Sequence, residues 1–324
     1  MIRAFVFGVW IAACGGSEGA RDAAVARDAD VDATHDASQV DASVEADAGG
    51  CACAAFERCE AGSCVCDDEV LCGTRGHAGF PMRDPSERAF VLEGADVVRD
   101  EVSGLRWMRV SASARPWDEA RDFCAAATLG GRDDWRLPAR VELASVLDAG
   151  RTPSFDAAFF DGAADYVWTA SRPAGSEIAA FAIYFGQGET VSAGVAVGGG
   201  HVRCVAGARE PVAVGTVDGD HVRHGGLRWR RTVSEPVDFA AAAAFCEGLG
   251  ERLPSLYEMH DLVDEAREAP AIDGVLFPET PTSRYWTSTI RDFGEILSWT
   301  VDFAIGASEL VERSTAARAR CVSE

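Results

Sequence analysis

Apolar residues change their spacing along this chain, and each spacing predicts a different kind of segment. Residues 4–13 form an apolar run behind Arg3, and residues 15–50 show no apolar period at all. From about residue 81 a packed pattern begins, and it occurs twice. Gly104-Leu105-Arg106-Trp107 and Gly226-Leu227-Arg228-Trp229 each read as a turn entering a strand. Pro116 then opens a helix on which Ala120, Phe123, Cys124 and Ala127 share a buried face. The matching positions in the second occurrence are Ala242, Phe245, Cys246 and Leu249. Gly130-Gly131 and Gly248/Gly250 are the expected stops. Pro138 and Pro254 sit where a first helical residue belongs, and Val141, Leu143, Val146 and Leu147 supply a second helix's inner face. Short strands are expected over 179–185 and 297–303.

The two occurrences match in order and in distance. Trp107 to Cys124 and Trp229 to Cys246 both span 17 residues, as do Trp168 to Phe185 and Trp286 to Phe303. Arg136-Leu137-Pro138 recurs as Arg252-Leu253-Pro254, and Arg203-Cys204-Val205 as Arg320-Cys321-Val322. Residues 80–208 and 209–324 are therefore two copies of one module. Each copy holds one early and one late Cys, and the economical pairing is Cys124 with Cys204 and Cys246 with Cys321. Closing a loop of that length constrains the unfolded chain by about 4.5 kcal/mol. With a separate core in each copy, Cys204→Ser is expected to weaken the first and leave the second largely intact.

Upstream, the composition changes the picture. Residues 1–13 read as a signal peptide, too short an apolar run to span a bilayer. Ile11-Ala12-Ala13-Cys14 resembles the bacterial lipobox, which implies lipidation of Cys14; an ordinary secretory signal is the alternative. Residues 14–50 follow as a lipidated Cys and an acidic Ala/Asp-rich linker, with nine acids and two Arg. Such a segment is expected to be disordered, with a typical coil span of about 33 Å. Residues 51–79 hold Cys51, Cys53, Cys59, Cys64, Cys66 and Cys72, an EGF-like knot by spacing, with a zinc site as the competing reading. Counting Cys14 out of the 11 Cys leaves an even number, as expected in an oxidising compartment.

Charge narrows the partners. The net charge is −22, and all 30 basic residues are Arg. Nucleic acid and anionic membrane faces are poor partners for such a surface, so the membrane is reached through the N-terminal lipid alone.

The order Gly-Leu-x-Trp, helix Cys, Asp134-Trp135-Arg136-Leu137-Pro138, Tyr285-Trp286-Thr287-Ser288 and Arg-Cys-Val is similar to the Lcl C-terminal domain family, over residues 90–206 and 212–323. That family is named for a collagen-like surface adhesin. It resembles the C-type-lectin-like fold and the formylglycine-generating-enzyme group. The resemblance implies an α+β fold: two tandem C-type-lectin-like domains, each with two helices, short antiparallel strands and one disulfide, after a disordered linker and a small disulfide-rich segment. Here the first copy carries 13 Arg against 18 acids and the second 12 against 20, which departs from the basic face a sulfated polysaccharide requires.

Candidate chemistry is sparse. His260 and Asp264, with Asp261 and Glu265 nearby, have the i, i+4 spacing of a metal pair or of a solvated acidic helix face. His221 and His224 flank an expected strand turn. Neither copy contains a Gly-x-Ser-x-Gly elbow or a phosphate loop. Trp107, Trp168, Trp229 and Trp286 recur and read as core, whereas Trp117 and Trp299 differ between copies and are candidate ligand contacts. Arg136 and Arg252 are expected to pair with a carboxylate such as Asp133 or Glu251, or with backbone carbonyls. No catalytic residue, cofactor or metal is assigned. The expected function is a lipid-anchored cell-envelope protein, an outer-membrane lipoprotein facing the periplasm or the surface, that binds a polysaccharide or another envelope protein. The alternatives are a formylglycine-generating-type enzyme relative and a purely architectural lipoprotein.

Overall fold

Alternating short apolar stretches produce strands here. The computed structural model describes residues 57–60, 63–66, 85–195, 199–207, 215–291 and 296–324. The expected signal peptide, the expected lipidation of Cys14, the expected linker and the sulfur pairing of the six cysteines at 51–72 lie outside the described residues. Within that segment, β1 (Glu57–Glu60) and β2 (Ser63–Cys66) pair antiparallel.

The first copy runs β3 (Phe90–Glu93), β4 (Val97–Asp100), β5 (Arg106–Met108), β6 (Ala112–Arg115), α1 (Trp117–Ala125), β7 (Trp135–Arg136) and α2 (Arg140–Ser145). It continues with β8 (Tyr166–Trp168), β9 (Ala179–Tyr184), β10 (Glu189–Gly194), β11 (Gly200–Val202) and β12 (Val205–Ala206). The second copy opens with β13 (Thr216–Asp218), β14 (His221–His224) and β15 (Leu227–Arg230). Then come α3 (Phe239–Gly248), α4 (Leu256–Asp261), β16 (Arg284–Ile290), β17 (Leu297–Asp302), β18 (Ala307–Glu312) and β19 (Val322–Ser323). The result is α+β, mostly strand, with one disulfide per copy. Cys124–Cys204 and Cys246–Cys321 each tie the first helix to the chain just before the last strand.

The copies are not separate bodies. One eight-stranded sheet runs β16-β17-β18-β10-β9-β8-β11-β6, crossing from copy to copy at β18–β10. The bridge there is antiparallel and joins Thr190 to Ser308. These are equivalent positions, each 22 residues after its copy's Trp168 or Trp286. An antiparallel contact between equivalent residues places a local two-fold axis through the seam, the isologous arrangement of a symmetric dimer. A shared apolar core follows the sheet across it: Val141, Leu143 and Ile183 share it with Met259, Trp299 and Val301. Each copy also keeps a smaller core of its own around its disulfide, with Trp117 and Trp168 in the first and Leu253 and Trp286 in the second. The expectation of separate cores therefore holds in part, since modules this small bury more apolar surface by sharing the rest.

Local details differ from the pattern where tertiary contacts compete. Helix α1 ends at Ala125, ahead of Gly130-Gly131, whereas α3 runs to Gly248. On the expected inner faces Ala120, Cys124, Ala242 and Cys246 are buried, but Phe245 and Leu249 are exposed. Helix α3 meets the sheet through the side that carries Phe239, Ala242 and Cys246, with Phe239 edge-on to Trp286 at 5.6 Å. Pro138 and Pro254 precede the caps, Ala139 and Ser255, and so stand outside the helices they were expected to begin. Their carbonyls each accept a bond of 2.7 Å, from Ala170 and Ser288. Val141, Leu143, Val146 and Leu147 are all buried, as is every residue of α2.

Arg136 and Arg252 pair with other carboxylates than Asp133 or Glu251. Arg136 grips Glu142 with two bonds of 2.7 Å, and Arg252 grips Glu258 with two of 2.8 Å. Each acid also accepts the cap residue's N–H, from Ala139 at 2.7 Å and Ser255 at 2.6 Å. The Arg-Leu-Pro signature is therefore a helix-start clamp. Glu258→Ala is expected to cost about 1–2 kcal/mol, chiefly by leaving the Ser255 N–H without its acceptor, since Arg252 keeps the Leu253 carbonyl and Glu324. Glu258→Gln should recover part of that by keeping the acceptor; urea midpoints of the two variants decide.

Candidate functional site

Strand alternation sends Glu189 and Val191 of β10 to the face opposite Thr190, and Ala307 and Glu309 of β18 do the same around Ser308. Between them, at the seam, the chain leaves a shallow, half-open cleft of about 250 Å³, completed by Asp302 and Ile305 at the β17–β18 turn. Glu309 is held by Arg284 of β16, which reaches it across β17. Burial, and then the charge of Glu309, push the Glu189 carboxyl above the usual range. Three carboxylates beside an apolar floor can accept hydrogen bonds from hydroxyl or ammonium groups and will repel sulfate. None of these residues stands out in the sequence; only the strand register across the seam brings Glu189 to Asp302 and Glu309.

The sequence candidates fall elsewhere. Trp117 and Trp299, expected as ligand contacts, are both buried, 1% and 0% exposed. Trp117 donates its indole N–H to the Thr169 carbonyl at 2.7 Å and is flanked by Arg121 and Arg172. Trp299 belongs to the shared core, where its ring lies against Gly188 of the other copy. They differ between copies because each fills a different interior space. Trp107, Trp168, Trp229 and Trp286 are buried as expected of core residues.

His260 does not lie on a solvated face. It is fully buried, and its Nδ1 accepts from Arg140 of the other copy at 2.7 Å; Arg140 Nε also donates to Glu265 at 2.5 Å. Asp264 instead pairs with Arg267. His221 meets Glu251 at 2.7 Å, and buried His224 meets Asp261 at 3.0 Å. Among the described residues no group of His, Cys, Asp and Glu could hold a metal ion.

Two further cations were missed as buried groups although their motif recurs. Arg203 donates to the Met108, Arg109 and Asp161 carbonyls. Arg320 donates to the Arg230 and Arg231 carbonyls and to the Thr280 hydroxyl. Burial lowers both guanidinium pKa values to about 10. Arg203 lies over Phe160 and Arg320 over Phe277, so each secures its copy's final strand. Their recurrence in Arg-Cys-Val was the available signal.

The described residues contain no helix long and apolar enough to cross a membrane. The profile of the family described as the Lcl C-terminal domain matches residues 96–206 and again 221–323. No curated protein matches the chain.

Proposed function

Because the chain belongs to the Lcl C-terminal domain family in two tandem copies, we propose that it is a non-catalytic binding or adhesion protein of the bacterial cell envelope, held there by lipid on Cys14. The observation that carries this reading is the fusion of two family modules into one sheet with a cleft at their seam. Clefts at junctions between modules are favoured places for ligands. The four module cysteines are buried in disulfides, which suits an oxidising compartment and leaves none of them as a thiol nucleophile. A helix-one Cys tied to the end of the module also supports the C-type-lectin-like relationship.

The ligand is a glycan or an envelope protein with a neutral or cationic contact surface, since the cleft's carboxylates disfavour sulfated chains. A glycan array and pull-downs from envelope extract, run with wild type and with Glu189→Gln/Glu309→Gln, test this. Capture by wild type with at least tenfold weaker capture by the variant is expected. No ligand in either assay would sink the binding reading, and preference for sulfated glycans would sink the assignment to the cleft. Lipidation is read by mass spectrometry of the N-terminal peptide, with Cys14→Ser as the control.

A further inference from the structure

We propose that the contact between α2 and α4 is an acid-sensitive lock between the two copies, closed by a neutral His260 set against Arg140 and weakened when His260 takes up a proton. Arg140 comes from the first copy and His260 from the second, and both side chains are fully buried. With Nδ1 accepting from Arg140 Nη1 at 2.7 Å, the ring carries its proton on Nε2. A second proton would turn that acceptor into a donor and place two cations in contact, with Glu265 the carboxylate bonded to Arg140 among the described residues. The next histidine in the layer, His224 of β14, faces a carboxylate, Asp261 of α4, at 3.0 Å. On the preceding turn Tyr257 carries Arg88 over its ring, another cation.

Burial first, then Arg140, hold the His260 pKa well below its ordinary value, against a smaller opposing pull from Glu265. An unfolded histidine titrates near 6.5, so below about that pH the unfolded chain binds a proton the folded chain refuses. Stability is therefore full above that range and falls as pH drops. The unfolding equilibrium constant rises by up to about tenfold per pH unit from this group alone.

Thermal melts of the purified chain from pH 8 to pH 5, at fixed ionic strength, test the lock. His260→Gln cannot be protonated, so its melting temperature should fall less steeply with acid than that of wild type. An unchanged slope in His260→Gln, or a slope abolished by His224→Gln instead, overturns the proposal. Should His260→Gln fail to fold, nitrogen NMR of labelled histidine in wild type decides. A neutral His260 with its proton on Nε2 at pH 6 supports the lock; titration near 6.5 within the folded chain refutes it.

Discussion

Replacing Arg140 by Met will destabilise the chain by about 3–5 kcal/mol at pH 8, because it breaks the fully buried ion pair between Arg140 and Glu265. The same variant should soften the acid response. Burial is the larger cause of the lowered His260 pKa and remains when Arg140 is gone, so the folded value stays below the unfolded one but closer to it. Stability is still full above about pH 6.5 and falls as pH drops, over a shorter range than in wild type. Arg140→Met combined with Glu265→Gln removes both charges and should be much closer to wild type at pH 8. Guanidinium denaturation at pH 8 and pH 6 measures all three, and a loss below 1 kcal/mol for the single variant would show that the pair carries little of the inter-copy contact.

Converting Cys124 and Cys204 to Ala together should cost about 2–5 kcal/mol, on the order of 10 °C in melting temperature. The loop closed by this disulfide spans 80 residues, so its loss frees a large denatured ensemble. The consequence for the second copy differs from what two independent modules would give. Val141, Leu143 and Ile183 pack in the same core as Met259, Trp299 and Val301, and β10 is bonded to β18. Loosening the first copy removes the surface on which the second is folded. The variant should melt in one transition at a lower temperature, and calorimetry is the check. A second transition at the wild-type temperature would mean that the seam is not cooperative.

The fusion also bears on binding. Two copies on flexible tethers would offer two separate surfaces, whereas a shared sheet fixes them and creates a third surface at the junction. That junction carries Glu189, Asp302 and Glu309, which belong to different copies and share no motif.

Spacing alone determined much of this protein. Matched intervals between Trp and Cys residues revealed the repeat, because two copies of one fold must keep the same distances between packed positions. The paired cysteines, the recurring Trp core and the helix starts after Arg-Leu-Pro were legible for the same reason: each depends on contacts within one copy. Tertiary structure alone decided what happens between copies. Thr190 meeting Ser308, Arg140 meeting His260, and Trp299 closing over Gly188 are pairings of residues more than 100 positions apart. No periodicity encodes them, since they follow from which sheet edge and which helix face remain uncovered once each copy has formed. Burial turned the apparent ligand contacts Trp117 and Trp299 into core and the apparent solvent face at His260 into an internal charge cluster, because apolar and polar groups alike are placed by the surface left to cover.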